Sequence, residues 1–208
     1  TPYLKEGENK LAAQVFKWTS SSWCEDQDFF RFSGIYRDVY LYAIPEVHVS
    51  DVKIQTLLDD TFTKADLVID TKATKAGKVK ITLSKDGKEL QSVEETLAEE
   101  SQYVMKVEKP ELWSAESPVL YDLLLEVMDE NGQVTEVIPQ RVGFRRFEMK
   151  DSIMMLNGKR IVFKGVNRHE FSSVSGRVVS RDQRPGNHET EQYQCHPYLS
   201  LSGCSRNL

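Results

Sequence analysis

The chain is poor in cysteine, with three in 208 residues: Cys24, Cys195 and Cys204. An odd count, with no CxxC pair and no paired His spacing, argues against a disulfide framework and against a zinc site. Reduced thiols of a cytoplasmic protein fit this usage better. Basic charge is not in excess: 27 Lys and Arg face 32 Asp and Glu, a net charge of −5. A nucleic-acid binder needs a basic face for the phosphates, so that class of partner is not expected. No apolar run approaches the ~20 residues of a membrane helix, so no membrane partner is expected. The opening TPYLKEGENK lacks the basic and apolar regions of a secretory signal. Nor does the chain open on Met, so further chain is expected before it. What remains is a globular composition, 39% hydrophobic and 10% aromatic, with length for one or two domains and a sizeable core.

Strand-like patterning dominates. Short runs rich in Val, Ile, Thr and aromatics alternate, with turn signals roughly every 8–12 residues, as in a β-sandwich. Near the start, LAAQVFKW (11–18) and DVYLYAI (38–44) carry this alternation. Seven more runs follow, at 47–58, 65–73, 78–84, 89–97, 102–108, 120–129 and 133–144. Asp86-Gly87 and Asn131-Gly132 are hairpin turn signals between neighbouring runs. The runs carry inward sets: Leu67/Ile69, Val79/Ile81/Leu83, Tyr103/Met105/Val107 and Leu123/Leu125/Val127. Seven strands between about 46 and 146 predict one immunoglobulin-like sandwich in an all-β chain. No ten-residue stretch shows clean helical periodicity.

The flanks differ. Residues 1–45 hold too few strands to close a sandwich of their own, so they read as part of a domain. Residues 153–166 read as a hairpin around Asn157-Gly158. From Gln183 to Leu208 there is no Val, Ile, Phe, Met, Trp, Ala or Lys, yet this stretch holds Cys195, Cys204, His188 and His196. Such a segment cannot bury enough apolar area to offset its ordering, and disorder is expected there.

Three clusters invite chemistry. Cys195-His196 with His188 lacks the spacing of a metal or nucleophile site and reads as incidental. Glu25, Asp26 and Asp28 lie between Trp23 and Phe29-Phe30. The plain reading is a solvated loop; the alternative is an oxygen-rich site for a cation or sugar hydroxyls beside aromatic platforms. Asn167-Arg168-His169-Glu170 follows the apolar run IVFKGV. Barrel enzymes place binding groups at such strand ends, although a lone His there is more often structural. Lys/Glu pairs along the sandwich strands read as solvent faces.

Several long motifs end the anonymity: GENKLAAQVFKW (7–18), EDQDFFRFSGIYRDVYLYAIP (25–45), PELWSAESPVLYDL (110–123), VGFRRFE (142–148), LNGKRIVFKGVNRHEF (156–171) and GRVVSRD (176–182). Together and in this order they resemble the large bacterial β-galactosidases of glycoside hydrolase family 2. The family's β-glucuronidases and β-mannosidases share a GVNRHE-like element but match the EDQD motif poorly, which favours the galactosidase branch.

The resemblance implies an arrangement. Residues 1–45 correspond to the C-terminal part of a jelly-roll sugar-binding domain, 46–147 to an immunoglobulin-like β-sandwich, and 148–182 to the start and first strand of a (β/α)8 barrel. It implies retaining hydrolysis by two Glu residues, nucleophile and acid/base, which lie later in the barrel and are absent here. By position, Asp28 corresponds to the residue that binds galactose and a sodium ion. His169 corresponds to the residue that contacts the sugar and strengthens that bond in the transition state. Magnesium, a homo-oligomer, a β-galactoside substrate and the remaining parts of the same enzyme are further implications for the full-length protein. Residues 183–208 depart from the family. Codons can be chosen for Asn187–Ser202 that, read one base later, give a helix and a strand ending in His-Tyr-Pro, as the family has next. A frameshift between Arg181 and Asn187 is therefore expected. The competing readings are a non-catalytic carbohydrate-binding or scaffold sandwich, and a fragment of a β-glucuronidase or β-mannosidase.

Overall fold

Alternation becomes a strand only where a neighbouring strand completes its hydrogen bonds. The computed structural model describes residues 3–24, 34–163, 172–176 and 178. In it, all seven central runs find partners. They form β1 (Val49–Leu58), β2 (Lys64–Ala73), β3 (Gly77–Lys85), β4 (Lys88–Leu97), β5 (Glu100–Glu108), β6 (Tyr121–Met128) and β7 (Val134–Val142). One sheet has the order β1-β2-β5 and the other β4-β3-β6-β7, with antiparallel pairing throughout.

Register places the apolar sets. Ile81 stands opposite Val93 on β4 and Leu125 on β6, while Ile69 stands between Ile54 and Tyr103. Side chains alternate between faces with period two, so these rows line the space between the sheets. Leu67, Ile69, Val79, Ile81, Leu83, Met105, Leu123, Leu125 and Val127 are all buried there, with Phe144 beside them. Each such side chain contributes about 1.5–3 kcal/mol through its removal from water. Tyr121 meets the Phe144 ring edge-on at 4.9 Å and accepts a hydrogen bond from Glu111 N–H at 2.9 Å. Tyr103 donates its hydroxyl to Thr96 O at 3.0 Å.

The two sequence-marked turns close differently. Asp86 and Gly87 both take positive φ, 50° and 75°, the geometry of a two-residue hairpin turn. At the Asn-Gly signal only Gly132 does, at 79°. There Asp129 Oδ1 accepts from Asn131 N and Gln133 N, each at 2.9 Å, and a register shift follows at Val127/Met128. The side chain of Asp129 thus builds a wider loop than the dipeptide alone requires.

After β7 come β8 (Phe147–Lys150), β9 (Ile153–Leu156) and β10 (Lys159–Arg160), a small sheet of order β10-β9-β8. The hairpin expected around Asn157-Gly158 is therefore present, and β8 adds a third strand to it. Tyr42–Phe163 forms one unit and Thr1–Leu41 with Lys164–Leu208 the other.

The opening runs correct the sequence reading. Residues 3–20 and 34–48 carry no strand, although LAAQVFKW and DVYLYAI alternate. Leu11, Val15, Phe16, Trp18, Val39, Leu41 and Tyr42 are exposed instead. The cause is the shortage of strands already evident in residues 1–45: an unpaired strand leaves its amides and its apolar face in water, so the pattern has nothing to stabilise it.

Candidate functional site

The acidic motif is entered through one helical turn, α1 (Ser21–Cys24). Ser22 fixes that turn by accepting from Thr19 N and donating to Lys17 O, both at 3.2 Å. The turn brings the rings of Trp18 and Trp23 to 6.3 Å at a 31° tilt, with Lys17 Nζ 5.6 Å from the Trp18 ring. Trp23 is largely exposed, and Cys24 is an exposed free thiol. Glu25, Asp26, Asp28, Phe29 and Phe30 lie outside the described residues.

The second candidate begins past the sheet β8–β10. Phe163 packs beside Phe147, with ring centroids 6.2 Å apart. Asn167, Arg168, His169 and Glu170 lie outside the described residues, as do His188, Cys195, His196 and the whole of 183–208. Ser172 and Gly176, which are described, close a tight turn through paired backbone bonds of 2.8 and 2.9 Å. Thus neither Asp28 nor His169 has a described geometry.

The junction between the sandwich and the sheet β8–β10 lies wholly within the described residues. The Arg145 guanidinium stacks 4.6 Å over Trp113, and that of Arg146 4.5 Å over Phe62. Arg146 Nη1 donates to Leu58 O at 3.4 Å, Asp59 O at 3.3 Å and Asp60 Oδ1 at 3.0 Å, and Nη2 donates to Glu148 at 3.4 Å. Asn157 Oδ1 accepts from Arg146 N at 2.9 Å, and its Nδ2 donates to Trp113 O at 3.0 Å. The sequence reading took VGFRRFE and LNGK as family markers and a turn, and missed this second role.

The sandwich faces hold paired charge. Lys53 pairs with Asp70 at 3.6 Å, Lys72 with Glu100 at 3.2 Å, and Gln102 donates to Asp70 at 2.7 Å. Lys72–Glu100 is a solvent-face Lys/Glu pair of the kind the sequence suggested, and such exposed ion pairs are worth little in water. Asp59 is held down to about 2 by hydrogen bonds from the Thr61 hydroxyl, then from Lys64 and Thr63 amides. The Lys75 ammonium, bonded at 2.8 Å, lowers Glu46, and Glu111 raises Lys85. Among the described residues no group of three or more His, Cys, Asp or Glu could hold a metal.

Three family profiles divide the chain between them. Glycosyl hydrolases family 2, sugar binding domain, matches residues 1–45; Glycosyl hydrolases family 2 matches 47–145; and its TIM barrel domain matches 147–189. The chain belongs to glycosyl hydrolases family 2. It is 48% identical over 188 residues to a β-galactosidase of Halalkalibacterium halodurans, covering 88% of this chain and 18% of that protein. A Streptococcus thermophilus β-galactosidase is also 48% identical, over 185 residues, with 86% and 18% covered. A β-galactosidase large subunit of Lactobacillus acidophilus is 39% identical over 185 residues, with 86% and 30% covered. The chain thus spans about a fifth of the length of the first curated relatives it matches. Among solved structures, Bacteroides uniformis β-glucuronidase 3 superposes with a TM-score of 0.65 at 30% identity, over 76% of this chain and 20% of that one. Ruminococcus gnavus β-glucuronidase in complex with D-glucuronic acid gives 0.62 at 26% identity, over 74% and 26%.

Proposed function

We propose that the chain is a segment of a cytoplasmic β-galactosidase that hydrolyses terminal β-D-galactosides such as lactose with retention. The observation that carries this reading is the 48% identity to β-galactosidases over 188 residues. The β-glucuronidase structures support the same fold, but at 30% identity and below they support the glucuronide reading less.

Retention needs two carboxylates about 5–5.5 Å apart across the scissile bond. One protonates the leaving oxygen while the other attacks the anomeric carbon. In this reading both belong to the barrel beyond these residues, and the present chain supplies sugar contacts. Asp28 would accept from galactose hydroxyls, and His169 would donate from a neutral imidazole to a ring hydroxyl. A donor aimed where charge develops lowers the barrier more than it tightens ground-state binding. Glu25, Asp26 and Asp28 are hard oxygen donors and suit sodium, with Asp28 its ligand. Sodium, when bound, would supply a positive centre for the sugar's hydroxyl oxygens. Magnesium, a homo-oligomeric state and docking with the rest of the enzyme belong to the same proposal.

The chain alone is then inactive. Hydrolysis of a chromogenic β-galactoside by rigorously purified chain should be undetectable. Turnover that survives repurification and vanishes in Glu170→Gln or Asp28→Asn would overturn this, because it would locate a complete site here.

A further inference from the structure

The sheet β8–β10 has strands of four, four and two residues. A hairpin of that size is at best marginal in water on its own. Something outside it must hold it in place, and the junction supplies the means. We infer that Arg146 and Asn157 form a latch that makes this barrel-entry hairpin part of the sandwich's cooperative unit.

Register identifies the latched face. Phe147 pairs with Leu156 and Glu148 with Met155, and Arg146 and Asn157 continue the ladder through Asn157 N to Arg146 O at 2.8 Å. Side chains alternate along each strand, so Arg146, Glu148, Met155 and Asn157 share one face. That face meets the β1–β2 turn. The Arg146 fork reaches the carbonyls of Leu58, the last residue of β1, and of Asp59 just after it, and its plane covers Phe62 within the turn. Asn157, at φ 50°, ties the hairpin's own turn to Trp113 O. Gly158 follows at φ 73°, and a Cβ there would lie 3.0 Å from the Phe62 ring. Glycine lets the two turns close on each other.

A surface ion pair would not do this. Asp60, the acidic partner of Arg146 Nη1, is almost fully exposed, and such pairs contribute little. The contacts that matter are the two carbonyls, the ring stack and the Asn157 amide. None of these is screened by salt in the way an ion pair is. A lysine has a single point charge and cannot span the same set.

Amide hydrogen exchange on the full chain, resolved by mass spectrometry, tests the latch. In the wild type, amides of 148–157 should be protected to a degree comparable with β1 and β7, and 0.5 M NaCl should leave them so. Arg146→Ala should speed their exchange by about ten-fold or more, since it removes the donor that satisfies two carbonyls. The amides of β3 and β6 should keep their rates, and Arg146→Lys should not restore the hairpin. If Arg146→Ala unfolds the sandwich too, Asn157→Ala carries the test: the hairpin alone should lose protection. Hairpin amides that exchange at unstructured rates in the wild type would overturn the inference. So would hairpin protection that survives both Arg146→Ala and Asn157→Ala.

Discussion

Two stretches of this molecule carry the same alternation and meet different fates. In KVKITLS of β3, Val79, Ile81 and Leu83 are 0%, 0% and 1% exposed. In LAAQVFKW, Leu11 is 70% and Val15 51% exposed, with no strand. Both stretches read as alternating strand runs. The difference is the neighbourhood: β3 lies between β4 and β6, which satisfy both of its edges. Alternation therefore states what a segment can do with a partner, and the partner decides whether it happens.

The largest expected effect separates the two stretches directly. Ile81→Ala should destabilise the sandwich by about 2–5 kcal/mol, since it empties a buried site between Val93 and Leu125. Leu11→Ala should change the same thermal transition by no more than about 0.5 kcal/mol. Equal losses from both variants would break the comparison. A smaller effect sharpens it within the sandwich. Tyr103→Phe leaves the Thr96 carbonyl without its 3.0 Å donor, and denaturant unfolding should show a loss of about 1 kcal/mol.

Much of the sandwich was legible in the residues. Each of its seven strand runs lies within two residues of the strand that forms, because apolar alternation and turn residues agree there. The inward sets at Leu67, Ile81, Met105 and Leu125 are the ones that are buried. The opening runs misled because a local pattern carries no information about missing partners. The turn at Asp129 was wider than Asn-Gly implies, because a carboxylate two residues upstream competes for its amides. The candidate site was legible as motif only: Asp28 and His169 are named by resemblance and lie outside the described residues. The Arg146 latch was invisible because its partners are backbone carbonyls, to which no residue type points.

The smallest expected effect is a pH dependence at the β1–β2 turn. Asp59 has its pKa depressed from 3.8 to about 2 in the fold. Its charged form therefore stabilises the native state above pH 3.8, and that contribution is lost as pH falls through about 2. The stability gap between wild type and Asp59→Asn should be constant above about pH 5 and should narrow steadily as the pH falls through 3.8 to about 2. A gap that widened on acidification would contradict the hydrogen-bond cradle formed by Thr61, Thr63 and Lys64.

The functional reading is tested most directly by exchange of parts. The aligned stretch of the Halalkalibacterium halodurans β-galactosidase can be replaced by the matching stretch of this chain, which covers 88% of it. The account predicts that the hybrid hydrolyses a chromogenic β-galactoside and leaves the β-glucuronide intact. It also predicts that Asp28→Ala or His169→Ala within the graft lowers kcat/KM by about 10²-fold or more, as loss of a transition-state contact does. A folded hybrid that cleaves the glucuronide instead, or one whose rate is indifferent to both substitutions, would contradict it.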